Sequence, residues 1–315
     1  MKKSIYPTLK TGFIFLLLCL AAACRSDDSN SNPEPQPTEM LRLKTYTGNG
    51  AEYLFTYNSD QMLSSYGSVT DVRNILYDSK GRVTRTGHIT YTYDDEGRIT
   101  KMNEDPSSTY SKVEAIFGYK AGSELVTSAD ITFTFRSSGK STNFTRTFQY
   151  NDDEQLTQII EQEHGTSLLN RFSLSYDAHG NITEIKEAHN PDGYGNNWID
   201  GTVQTYTYDN KKNPRYAALQ SMGIDTRLSL VYMFSMISIQ SYQGLGNYVF
   251  HRINYYNPNN ILNQVYSSSG TRLTSICVYE YNEYDYPISA QVTRTYDGGT
   301  DIFNYSWEYE TYIEE

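Results

Sequence analysis

Apolar and polar residues alternate with a period of two along much of this chain. Val113, Ala115, Phe117 and Tyr119 share one face, against Lys112, Glu114 and Ile116 on the other. Ile131, Phe133 and Phe135 oppose Asp130, Thr132, Thr134 and Arg136. Phe303, Tyr305, Trp307 and Tyr309 oppose Asn304, Ser306, Glu308 and Glu310. Successive side chains of a strand point to opposite faces, so the pattern predicts antiparallel strands with one apolar, aromatic face and one wet face. Residues 228–239 (LSLVYMFSMISI) break the alternation. That run fits a central strand or a short helix, in either case core filling, and it is too short to span a bilayer.

The breaks between strands repeat. YDDEGRI at 93–99 recurs as YDSKGRV at 77–83 and YDAHGNI at 176–182. Looser copies begin at Tyr57, Tyr150, Tyr208, Tyr256 and Tyr281. Each has Tyr, then Asp or Asn, then four residues, then an apolar residue or Pro. The aromatic ends a strand on its buried face, and the Asx side chain caps backbone amides two residues on. Gly in the fifth place takes the positive φ that other residues resist, and Asn260 is the next best choice there. The seventh residue restarts a strand on the same face. Eight such units imply up to about sixteen flanking strands in a meander of hairpins. Their uneven spacing marks a repeated turn rather than a fixed-length solenoid unit.

On these residues the chain resembles two families. Residues 77–102 look like tandem YD repeats of the RHS and teneurin type. Residues 41–315 as a whole resemble a Bacteroidetes lipoprotein domain of unknown function with a porin-like fold, YDNKKNP at 208–214 being the most specific match. The resemblance implies an all-β antiparallel sheet curling into a large barrel or half-barrel, with at most a short internal helix. It implies no catalytic residues.

The N-terminus predicts an address. Lys2, Lys3 and Lys10 precede an apolar run, FIFLLLCL at 13–20, and Ala21-Ala22-Ala23-Cys24 closes it. Small residues directly before a cysteine resemble a bacterial lipobox, although Ala21 stands where leucine is usual. Cys24 is then the acylated residue, residues 1–23 the signal, and residues 24–40 a tether too polar to order itself. Ser26, Asp27 and Asp28 resemble the acidic tag that exports such lipoproteins to the cell surface. The expected location is the outer membrane, reached through the lipid alone, with one β domain over 41–315. The closing residues, Tyr312 to Glu315, lack the terminal aromatic common in embedded barrels, which favours a tethered, water-soluble sheet.

Composition narrows the function. The formal charge is −11, and removing the signal takes away Lys2, Lys3 and Lys10 and no acid, giving −14. That argues against nucleic acid as a partner. Cys277 is left as a lone thiol, expected to behave as a small buried hydrophobe. The chain carries no HExxH, GxSxG, P-loop or EF-hand spacing, so neither metal nor cofactor is expected, and the acidic triplets at 94–96 and 152–154 read as solvated turn acids. The most suggestive segment is 189–201 (HNPDGYGNNWIDG). Asp192, Asn196, Asn197 and Asp200 beside Tyr194 and Trp198 suit a sugar, whose C–H faces stack on rings while its hydroxyls meet amides and carboxylates. They suit better a long exposed turn of ordinary turn residues pinned by Trp198. The expectation is a non-catalytic surface lipoprotein that holds a polysaccharide or other envelope ligand, or binds an envelope protein. The alternatives are a purely structural or adhesive shell and a glycan hydrolase with a spatially assembled carboxylate pair.

Overall fold

The computed structural model describes residues 39–48, 50–105, 110–193, 197–235, 253–268 and 270–313. The first seven strands are β1 (Glu39–Gly48), β2 (Ala51–Tyr57), β3 (Leu63–Ser68), β4 (Asp71–Tyr77), β5 (Val83–Thr86), β6 (Ile89–Tyr93) and β7 (Ile99–Glu104). Seven more follow: β8 (Tyr110–Tyr119), β9 (Val126–Phe135), β10 (Ser141–Tyr150), β11 (Leu156–Glu163), β12 (Leu169–Tyr176), β13 (Ile182–Asn190) and β14 (Ile199–Lys212). Helices α1 (Pro214–Gln220) and α2 (Thr226–Ser235) and a 3-10 turn at Ile253–Tyr256 interrupt the sheet. It ends with β15 (Asn259–Ser268), β16 (Thr271–Tyr281), β17 (Pro287–Tyr296) and β18 (Gly299–Ile313). Every strand pairs antiparallel with its sequence neighbours, and β1 pairs with both β2 and β18. The meander therefore closes into an 18-stranded barrel without a free edge.

Neighbouring strands are tied together at one end by the repeated tyrosines. In the unit at 77–83, Asp78 Oδ1 accepts from the amides of Lys80 (2.9 Å) and Arg82 (3.0 Å), and Gly81 takes φ 75°. Tyr77 points inward and its hydroxyl donates to the Leu63 carbonyl at 2.6 Å. The same bond recurs from Tyr57 to Leu43, Tyr93 to Val83, Tyr119 to Ile99, Tyr150 to Val126, Tyr176 to Leu156, Tyr208 to Ile182 and Tyr309 to Pro287. Seven of these hydroxyls reach back to the carbonyl at the start of the preceding odd-numbered strand, and Tyr57 reaches Leu43 within β1. The tyrosines thus stitch one end of the barrel around its circumference. Buried hydroxyls need partners, and this arrangement satisfies them and the carbonyls together. Arg82 and Arg98 then lie over the rings of the next tyrosines, Tyr93 at 4.5 Å and Tyr119 at 4.9 Å.

Two of the eight expected hairpin turns are absent. The chain does not turn at Tyr208, because β14 runs on to Lys212, and Tyr256 ends the 3-10 turn. The two motifs are halves of one turn split by an insertion. Asp209 Oδ1 accepts from Lys211 N and, in place of the residue four along, from Asn260 N, each at 3.0 Å. Asn260 therefore lies in β15 rather than taking a positive φ. Gln61, Glu154 and Asp285 adopt the left-handed conformation without being glycine, at φ 62°, 59° and 67°. A further copy of the turn, at Tyr119 with Gly122 at φ 71°, has Lys120 in the Asx place and escaped the motif.

The insertion plugs the lumen. Asn213 caps α1, its side chain accepting from Arg215 N, and Pro214 starts the helix where no N–H is needed. Two short helices form where at most one was expected. All described side chains of α2 from Leu228 to Ser235 are buried, so it has no wet face. Tyr232 packs edge-on against Phe117 at 5.1 Å, and Phe234 lies 6.0 Å from Phe172. Ala218 and Met222 meet Leu43, Phe55 and Ile75 from the opposite wall. The core is thus inside the barrel.

The outer face is mixed, with Ile276, Val278 and Ile302 exposed on β16 and β18 and polar contacts on β7 to β11. Lys101 and Lys112 flank Glu114 at 2.9 and 2.8 Å, Thr145 bonds Asp130 at 2.8 Å, and Thr132 bonds Asn143 at 2.8 Å. Bilayer-spanning barrels instead combine an apolar band outside with a polar lumen. Among the described residues no helix is long and apolar enough to cross a membrane.

Candidate functional site

A cavity of about 450 Å³ lies in the lumen between α1 and the walls formed by β1, β2 and β15 to β18. Period-two alternation brings its wall residues inward. On β16 these are Ser275, Cys277 and Tyr279, opposite Arg294, Val292 and Ala290 of β17. Tyr305 and Trp307 come from β18 and Tyr46 from β1. Tyr46 stacks on Tyr305 with centroids 5.8 Å apart and planes 9° apart, and Trp307 tilts against both. Gly48 makes this stack possible, because a Cβ there would sit 2.4 Å from Tyr305 Cδ1. Tyr53, 37% exposed beside the β1–β2 turn, marks where the cavity reaches the rim.

One cation enters from the plug. Arg215, in the first turn of α1, places its guanidinium carbon 3.9 Å from the Tyr46 ring centre and 5.3 Å from that of Tyr255. No carboxylate among the described residues pairs with it, and no Asp or Glu lines the cavity. Burial pushes Tyr46 up to about 12 against the opposing pull of Arg215, and burial raises Tyr279 well above the ordinary phenol value. Both are neutral at pH 7. The positive charge of Arg215 therefore stands unmatched by any anion among the described residues. Ser275 Oγ and Trp307 Nε1, both buried, likewise have no hydrogen-bond partner among the described residues.

Cys277 lines this cavity half-buried, a correction to its expected place in a closed core. Burial pushes its thiol up to about 11, so it stays protonated and is no nucleophile at neutral pH.

The segment 189–201 lies elsewhere, at the opposite end of the barrel from the tyrosine ring. Asn190 Oδ1 accepts from the amides of Asp192 and Gly193, each at 3.1 Å, and Asn197 donates to Asp192 at 2.9 Å. Trp198 is half-buried with Arg171 over its ring at 4.3 Å, and Asp200 is exposed on β14. Tyr194 and Asn196 lie outside the described residues, as do Cys24, Ser26, Asp27 and Asp28.

Two carboxylates are buried near one another on the inner wall. Glu161 bonds Arg146 (Nε–Oε2 2.7 Å) and Asn170 (3.2 Å), and Arg146 also donates to the Phe234 carbonyl at the end of α2. Glu187, raised by burial and by its neighbour Glu161, sits across from them. The Arg146–Glu161 pair thus fastens α2 to the inner wall. Among the described residues no cluster of His, Cys, Asp and Glu suits a metal ion.

No protein-family model and no curated protein matches this chain. Solved structures resemble it weakly. A porin-like protein from Bacteroides vulgatus matches 86% of this chain and 99% of its own, with TM-score 0.42 and 10% identity. A porin-like protein from Bacteroides uniformis matches 88% and 99%, with TM-score 0.39 and 12% identity. The Tc holotoxin pore of Photorhabdus luminescens matches 78% of this chain and 12% of its own, with TM-score 0.29 and 12% identity.

Proposed function

We propose that this protein is a non-catalytic, lipid-tethered barrel of the outer membrane that holds a small envelope ligand in its lumen. The observation that carries the reading is the plugged lumen. An interior filled by α1, α2 and a core cannot conduct, yet it retains a cavity of about 450 Å³ walled by six aromatic side chains. That size lies within the usual range for small-molecule sites, about 300–1,000 Å³. The apolar, plugged interior and the charged and hydroxyl contacts outside β7 to β11 favour anchoring through Cys24 over insertion of the strands, and Ser26, Asp27 and Asp28 favour the outer leaflet. The segment 189–201 is the weaker candidate for a polysaccharide, since Arg171 occupies one face of the Trp198 ring that a sugar would need.

The test is a thermal-shift screen of the full chain against small sugars, acids and envelope metabolites, with Trp307→Ala and Trp198→Ala beside it. Stabilisation that Trp307→Ala abolishes and Trp198→Ala leaves intact supports the lumen site. The reverse pattern moves the site to the loop. Absence of any stabilising compound leaves the structural shell as the better account.

A further inference from the structure

Resting on the reading that the lumen holds a ligand, we infer that the ligand is a small organic carboxylate with a ring-sized apolar body, its carboxylate held by Arg215. The cavity's polar groups are biased toward donors. Arg215 lines it, and among the described residues not one acid does, in a chain whose formal charge is −11. Arg215 is partly buried and held over two rings, and the planar fork of arginine matches a carboxylate through two parallel hydrogen bonds. No described residue supplies that anion, so the structure leaves the place for it.

Two further donors point the same way. Ser275, only 3% exposed, keeps its Oγ without a partner, and so does the Trp307 indole N–H. Buried polar atoms are nearly always satisfied in folded proteins, so a pair of orphans on one cavity wall marks where ligand atoms belong. The indole N–H can only donate, which requires an acceptor on the ligand. The rest of the wall is aromatic: Tyr46 and Tyr305 in a stack, with Trp307 and Tyr279 at 6.0 Å from each other. Such rings pack a flat or ring-shaped body rather than a naked inorganic ion. The cation is also placed by the fold with some care. Arg215 sits directly after the Asn213 cap and Pro214, on the helix that the split turn inserts, so its backbone is fixed before any ligand arrives.

The experiment reads Trp307 fluorescence in the full chain carrying Trp198→Phe, which leaves one tryptophan. The probes are 4-hydroxyphenylacetate and its uncharged analogue 4-hydroxyphenylacetamide. The acid is expected to change the emission saturably and to bind roughly 10- to 100-fold more tightly than the amide, the range expected for hydrogen bonds to a charged group. Arg215→Gln is expected to remove that preference, and Arg215→Lys to retain part of it. Equal affinity for acid and amide would overturn the carboxylate assignment while leaving a ligand-holding lumen standing. Failure of both probes to bind the folded protein would overturn the two together. The acid–amide comparison needs no substitution of Arg215, so it decides the matter even where Arg215→Gln does not fold.

Discussion

Replacing Tyr176 by Phe removes one oxygen and tests what the repeated tyrosines do. The Tyr176 hydroxyl donates to the Leu156 carbonyl at 2.8 Å from a largely buried position. A hydrogen bond of this kind contributes about 1 kcal/mol net, and leaving the carbonyl unanswered raises the loss to about 1–3 kcal/mol. Phe keeps the ring and its packing, so no cavity adds to the cost. We expect a loss of about 2 kcal/mol in urea unfolding with an unchanged m-value, or about 4–8 °C in Tm for a domain of this size. Tyr284→Phe is the control, because Tyr284 is 47% exposed and uses only its backbone amide, toward Asn282. That substitution should stay within about 0.5 kcal/mol. If Tyr176→Phe is as silent as Tyr284→Phe, the hydroxyl ring does not hold the barrel, and the motif reports turn geometry alone.

Other consequences follow from the same structure. Burial pushes Tyr77 and Tyr93 up to about 12. Folded values above the unfolded value near 10 mean that this stability is complete below pH 10 and is lost as pH rises toward 12. Absorbance at 295 nm should therefore show phenol ionisation coupled to loss of β-sheet circular dichroism, and independent titration at pH 10 without unfolding would contradict this. Gly81→Ala meets no neighbouring atom, so its cost is the left-handed backbone alone, about 1–2 kcal/mol by denaturant unfolding. Arg146→Met should cost about 3–5 kcal/mol by stranding Glu161, and the double substitution with Glu161→Leu should recover much of the loss. At the acid end, the Arg82 amide and then its guanidinium hold the Asp78 carboxyl below its ordinary range. That contribution is present above pH 4 and fades below it, so Asp78→Ala should flatten the acid limb of stability against pH.

Much of the barrel was legible from its turns. The Tyr-Asx motif placed the buried tyrosine, the Asx cap and the restart of the next strand at six of the eight units, because those features depend on neighbours within seven residues. The units at Tyr208 and Tyr256 misled for the same reason: each carries half of the local signal, and the other half lies 48 residues away. Closure was not legible, because the pairing of β1 with β18 joins residues at opposite ends of the domain. Nor was the outcome for 228–235, whose apolar content on every side suits a buried strand and a buried helix alike; 236–239 lie outside the described residues. The cavity was harder still. Tyr46, Arg215, Ser275 and Trp307 belong to no motif and meet only when β1, β16 and β18 close around α1. A partial signal was present in Asn213-Pro214-Arg215, since an Asx cap followed by Pro announces a helix start and so an inserted cation. The segment 189–201 drew attention through composition, and composition alone does not distinguish a sugar platform from a turn whose Trp packs under Arg171.

The most direct measurement is a crystal structure of the protein grown with 4-hydroxyphenylacetate. The account predicts the probe inside the barrel, its carboxylate within hydrogen-bond distance of Arg215 and its ring among Tyr46, Tyr279 and Trp307. A cavity holding only water, with the probe on the outer face or nowhere, would contradict it.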